Sequence, residues 1–211
     1  ALTSCSDDRD SNPTIGTPTN FVVNTSPVAG QYIQLSPENR VNLTWSQPNS
    51  GYNALATYQV QVGVNNGGNI VWNEKDGADK FLETSFTMCY ADISGEEIAE
   101  AICEIDGVTS EDDYVDLGFR EIAFRVKSSI QDSKGNDVAG TVIMSNEVIF
   151  EHMAAYCAVK SLGSVWIIGN CGGWTEPKAA NGDALADWRI YETEIGIKIY
   201  NGVVEMPEGD L

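Results

Sequence analysis

The sequence predicts an all-β protein: an antiparallel β-sandwich with one inserted helix, followed by the start of a second β-sandwich. Three observations carry this. Short runs alternate apolar and polar residues with a period of two, and turn residues separate them. One segment breaks that pattern with apolar residues at helical spacing. A second strand-rich stretch, dense in tryptophan, begins after residue 157.

In chain order, Val41-Asn42-Leu43-Thr44-Trp45 places Val41, Leu43 and Trp45 on one face, and Tyr58–Val64 alternates again. Shorter strand-like runs follow at Asn69–Trp72 and Ser85–Cys89, then at Ile122–Lys127 and Glu147–Phe150. Pro48-Asn49-Ser50-Gly51, Asn65-Asn66-Gly67-Gly68 and Lys134-Gly135-Asn136-Asp137 supply the turns between them. Ser94-Gly95-Glu96-Glu97 reads as a capping box, with the Ser94 side chain accepting from the Glu97 amide. Ile98, Ala101, Ile102 and Ile105 then recur on one helical face, and Gly107 suits the helix end. Trp45 and Tyr58 lie in phase with the apolar faces of their strands, which makes them core residues rather than a binding platform.

Beyond residue 157, Ser164–Gly169 reads as a strand and Asn170-Cys171-Gly172-Gly173-Trp174 as a glycine-rich turn ending in an aromatic ring. Trp188–Thr193 and Ile195–Tyr200 alternate as further strands. Three or four strands are too few to close a two-sheet sandwich, so the domain is expected to continue past Leu211.

Composition excludes several functions. The 211 residues carry 31 acidic and 12 basic side chains, a formal net charge of −19. Such a chain lacks the basic groups that neutralise nucleic-acid phosphates or hold an anionic bilayer. No phosphate-binding glycine loop occurs, and His152 is the single histidine, so neither a nucleotide enzyme nor a Ser-His-Asp triad is expected. No metal site is expected either. His152 has no second ligand spaced for it. Residues 92–121 hold eleven Asp or Glu and one basic residue, but the run lacks the calcium-loop pattern and reads as a solvated face. Cys89, Cys103, Cys157 and Cys171 allow three pairings, among which Cys89–Cys103 is conceivable, since Cys89 leads into the helix carrying Cys103.

The N-terminus adds a motif. Leu2-Thr3-Ser4-Cys5 resembles a bacterial lipobox, with Cys5 as the lipid-bearing residue and Asp7, Asp8 and Asp10 following it. Several acyl chains on Cys5 would hold a soluble domain firmly, since each buried methylene contributes about 0.8 kcal/mol. A polar tether then runs through Pro18.

With this lipobox, Leu43-Thr44-Trp45, Tyr58-Gln59-Val60, the inserted helix and Phe124–Ser128 resemble the fibronectin type III-like N-terminal domain of SusE-family outer-membrane lipoproteins. The fit departs from the wider fold at Ile122, where many such domains have a tyrosine. Without cysteine in 41–47 or 120–130, the immunoglobulin inter-sheet disulfide is excluded. The strand before Gly169 and the Gly-Trp turn resemble the carbohydrate-binding modules of SusE and SusF proteins.

The resemblance implies residues 1–18 as lipobox remnant and tether, 19–151 as spacer, and 157–211 as the start of a sugar-binding module. It implies a non-catalytic, cofactor-free lipoprotein anchored in the outer membrane and facing the cell exterior. Its partners would be an oligosaccharide or polysaccharide and a SusC/SusD-type transporter. The expected stacking ring is Trp174, with Trp188, Trp166 and Tyr191 as further candidates and Lys198 or Arg189 as a hydroxyl donor, both ranked below the rings; Trp166 is equally placed for the core. A structural or adhesive lipoprotein without a sugar site is the competing class.

Overall fold

The computed structural model describes residues 16–51, 55–159, 162–169, 174–178, 182–193 and 197–204. The lipobox with Cys5 and the acidic residues after it lie outside these, as do Cys171, Gly172, Gly173 and Ile195. The fold is mostly β with one α-helix, and the chain divides into two compact units, Ala1–Val159 and Lys160–Leu211.

The first unit is organised by two ten-residue strands, β3 (Thr57–Asn66) and β9 (Arg120–Ser129). They pair antiparallel along nearly their whole length, with Val60 opposite Val126, Val62 opposite Phe124 and Val64 opposite Ile122. β-Branched and aromatic residues on a pleated, buried surface favour this arrangement. β4 (Asn69–Trp72) returns from β3 through the Gly67-Gly68 turn. On the other side β9 pairs with β11 (Val148–Ala154), and β11 with β1 (Tyr32–Gln34), giving the order β1-β11-β9-β3-β4.

Two features differ from the expected antiparallel sandwich. β1 runs parallel to β11, with Tyr32 opposite His152. The sequence did not mark β1, because three residues of mixed exposure carry no period. The ladder between β11 and β9 also shifts register between Phe150 and Met153, which places His152 at a bulge on a strand that extends to Ala154.

A separate two-stranded sheet pairs β2 (Arg40–Thr44) with β8 (Tyr90–Ser94). The expected run at Ser85–Cys89 is a strand only at Ser85–Phe86, and the long strand follows it, where Ala91 and Ile93 fill the inward positions. Val41 and Leu43 from this sheet meet Tyr58, Val60, Val62, Phe124, Val126 and Phe150 from the larger sheet in one core. Trp45 and Tyr58 are 4% and 2% exposed, with ring centroids 5.1 Å apart, so both are core residues as their phase indicated.

The helix α1 (Gly95–Ile105) follows β8 directly. Ile98, Ala101 and Ile102 are buried in the same core, with Ile105 packed at its edge. Ser94 caps it, but its hydroxyl accepts from the Glu96 amide at 3.2 Å rather than from Glu97. The Glu97 carboxylate turns outward and accepts from the Thr84 amide and hydroxyl, so the reciprocal half of the capping box is replaced by a contact to a loop. Gly107, at φ +73°, ends the helix in a conformation that costs other residues strain.

Packing begins before residue 19. Gly16 donates to the Ser50 carbonyl, Thr19 bridges Asn49, and Pro18 is buried, so the end of the polar stretch is docked on the segment between β2 and β3. The unit closes past β11, where Ala158 is buried in its core. No helix among the described residues is long and apolar enough to cross a membrane.

In the second unit β12 (Ser164–Trp166) pairs antiparallel with β13 (Arg189–Tyr191). A 3-10 helix, Asp183–Trp188, leads into β13, so Trp188 ends a helical turn instead of starting a strand. Ile197–Ile199 form no strand, and Tyr200 makes a single bridge to Glu192.

Candidate functional site

Antiparallel register decides which of the sequence candidates meet. Trp166 lies opposite Arg189, and Ser164 opposite Tyr191. Directly opposed residues and their i±2 neighbours share a face, so Trp166, Arg189, Ser164 and Tyr191 stand on one side of the two-stranded sheet. Val165 and Ile190 occupy the other.

On the first face the Arg189 guanidinium sits 5.1 Å from the Trp166 ring centroid and 4.7 Å from that of Tyr191. Its Nε donates to the Ser164 hydroxyl at 2.9 Å. A cation over an aromatic face is attracted by the ring quadrupole, by about 0.5–1 kcal/mol at exposed sites. The planar guanidinium is thereby oriented, and its terminal nitrogens are donors of fixed direction. Tyr191 is 46% exposed and Trp166 half-buried. The face therefore offers flat apolar area beside an oriented hydrogen-bond donor. Such a surface suits a ligand with apolar C–H faces and a rim of hydroxyls.

The other candidates sit on different elements. Trp174 is 69% exposed and adopts φ +55°, unusual for a residue with a side chain; its amide donates to the Gly169 carbonyl at 2.9 Å. The Trp174 ring lies at the surface. Trp188 is half-buried, and its carbonyl accepts from the Ile167 amide. Lys198 is exposed, at φ +57°. Its backbone amide makes the specific contact, donating to Glu192 Oε1 at 2.8 Å.

Sequence reasoning missed Glu192 and undervalued Arg189. Glu192 is 6% exposed, and its carboxylate accepts from the amides of Gly163 at 2.9 Å and Lys198 at 2.8 Å. It thus joins the segment before β12 to the loop after β13. A Cβ on Gly163 would come within 2.8 Å of that carboxylate, so glycine is needed for the close approach. The signal was present: Glu192 is in phase with Ile190, on the side where a strand normally buries an apolar residue.

Part of the acidic run at 92–121 is used locally. Glu111–Asp113 form a 3-10 turn in which the Asp113 carboxylate accepts from the Ser110 and Thr109 hydroxyls, which hold its carboxyl below the usual range. His152 stacks on Tyr32, ring centroids 4.3 Å apart, with Phe119 edge-on to the same tyrosine. No family model matches the chain.

Proposed function

We propose that the protein is a non-catalytic, glycan-binding surface lipoprotein of the SusE kind. In this reading lipidated Cys5 anchors it in the outer membrane, facing the exterior. The first unit is a fibronectin type III-like sandwich acting as spacer. The second unit is a carbohydrate-binding-module-like β unit that takes an oligosaccharide or polysaccharide for delivery to a SusC/SusD-type transporter. The observation that carries the reading is the Trp166–Arg189–Tyr191 face, with Trp174 exposed in the same unit. Stacking rings with an oriented donor are what a neutral polyhydroxylated ligand requires.

Titration calorimetry of the chain against a panel of neutral oligosaccharides tests it. Arg189→Ala, Tyr191→Ala and Trp174→Ala are each expected to weaken binding at least tenfold, about 1.4 kcal/mol. Because the ligand is uncharged, binding should change little with salt. Unchanged affinity in all three variants removes the second unit as the site. Cys5→Ala is expected to release the protein from the membrane fraction, and retention would overturn the anchor.

One observation favours the competing structural or adhesive reading. Tyr32 is 70% exposed and, with His152 and Phe119, makes an aromatic surface on the unit assigned as spacer. Loss of a protein partner in Tyr32→Ala, with no sugar bound by the parent chain, would support it.

A further inference from the structure

Cys89, Cys103 and Cys157 are free thiols. The pairing conceivable from sequence, Cys89 with Cys103, is not formed: Cys89 Sγ lies 3.6 Å from the Tyr58 hydroxyl, while Cys103 points elsewhere. In the last turn of α1, Cys103 is 2% exposed, and its thiol donates to the Tyr156 carbonyl at 3.6 Å. That carbonyl belongs to the peptide bond leading into Cys157. In a trans peptide the oxygen and the next Cα are about 2.8 Å apart. Cys157 Cα therefore lies within about 6.4 Å of the Cys103 sulfur. Disulfide-linked residues have Cα atoms roughly 4.4–6.8 Å apart, and the span from the Cys103 sulfur to its own Cα places the two Cα atoms within about 9 Å, so closure takes a turn of the Cys103 side chain away from the Tyr156 carbonyl together with a shift of the 156–158 backbone.

We propose that Cys103 and Cys157 are a redox-active pair that closes to a disulfide when a thiol–disulfide oxidant reaches Cys157. Half-buried Cys157 is the entry point and buried Cys103 the resolving thiol. The Cys157 thiolate attacks a small-molecule disulfide, and one thiolate leaves with the electron pair of the broken S–S bond. The Cys103 thiolate then attacks Cys157 Sγ of the mixed disulfide, and the second thiolate leaves. The protein loses two electrons and two protons; the oxidant becomes two thiols.

The electrostatics agree with this placement. Burial pushes the Cys103 thiol up, the Ala158 backbone works against that, and charge on Cys157 adds to it. Tyr114, whose hydroxyl donates to the Ala155 carbonyl at 3.0 Å, senses both sulfurs. The second step is therefore slow at neutral pH and accelerates as pH rises. The bond would tie the last turn of α1 to the segment following β11, closing a loop of roughly 54 residues and removing that freedom from the unfolded chain.

The inference does not depend on the glycan reading. To test it, the folded chain is incubated with oxidised glutathione, alkylated, and digested without reduction at Lys, Arg and Glu, which separates Cys89 from Cys103. A peptide pair linked through Cys103 and Cys157, about 2 Da lighter than its reduced halves, is expected, with Cys89 alkylated. The melting temperature should rise by several degrees, fall back with dithiothreitol, and stay unchanged in Cys157→Ser and in Cys103→Ser. Glutathione retained on Cys157 without the link would overturn the proposal, as would alkylation of both residues or linkage of either to another cysteine.

Discussion

Trp45 in the first unit and Trp174 in the second have opposite surroundings. Trp45 is 4% exposed among Tyr58, Phe86 and the apolar residues of two sheets and a helix, whereas Trp174 is 69% exposed on a turn. In the first unit β2, β8 and α1 cover the inner face of β3 and β9, so a large ring on that face is removed from water. In the second, two three-residue strands pair, and Leu185 and Glu192 are the buried side chains among its described residues. A side chain's fate is set by whether a second layer covers it, since the gain scales with area removed from water. Rings left uncovered are available to a ligand.

The largest expected effect tests the covered side. Trp45→Ala should lower the unfolding free energy of the first unit by about 3–5 kcal/mol in urea titrations. A change within error would mean that the ring contributes no core packing and would erase the contrast with Trp174.

Glu192→Ala probes the thin unit. It leaves the Gly163 and Lys198 amides without their acceptor and should cost about 1–3 kcal/mol of local stability. Amide exchange at those two positions should accelerate while β3 and β9 keep their protection. Equal acceleration across the first unit would show that the two unfold together.

Ser94→Ala should cost about 1 kcal/mol, because Ser94 satisfies one helix amide. Glu97→Ala should cost less, since that side chain holds the Thr84 loop and not the helix start. The reverse order would restore the capping box expected from the sequence.

A smaller effect is expected from acid. Burial disfavours the charge on Asp137, but the Ser129 hydroxyl at 2.6 Å and the Lys127 ammonium at 2.9 Å outweigh it and hold the carboxyl below its ordinary value. Its contribution is present above the unfolded value near 3.9 and lost as pH falls through the lower folded value. The urea midpoint should drop as pH falls below about 4, and Asp137→Asn should flatten part of that fall. The least effect is expected from Trp174→Ala, within about 0.5 kcal/mol of the parent in stability, as for surface changes generally.

The sequence by itself determined what depends on local period and local chemistry. Alternation at Val41–Trp45 and Tyr58–Val64 placed their inward faces because the strand period of two leaves one choice once a face is apolar. Spacing at Ile98, Ala101 and Ile102, with Ser94 before and Gly107 after, marked α1 within a residue or two. Only the tertiary structure decided what depends on partners distant in the chain. β1 exists because β11 offers an edge to pair with; Tyr32–Gln34 has no pattern of its own. The Glu97 side chain left the helix start because Thr84 lies within reach. Trp166, Arg189 and Tyr191 became one surface because the register sets residue 166 opposite residue 189, and register is a property of the pair of strands. Cys103 faces Tyr156 and not Cys89 because the helix turns its last residues toward the chain leaving β11. Local periodicity specifies faces; which faces meet is settled by long-range pairing, whose energy no single segment contains.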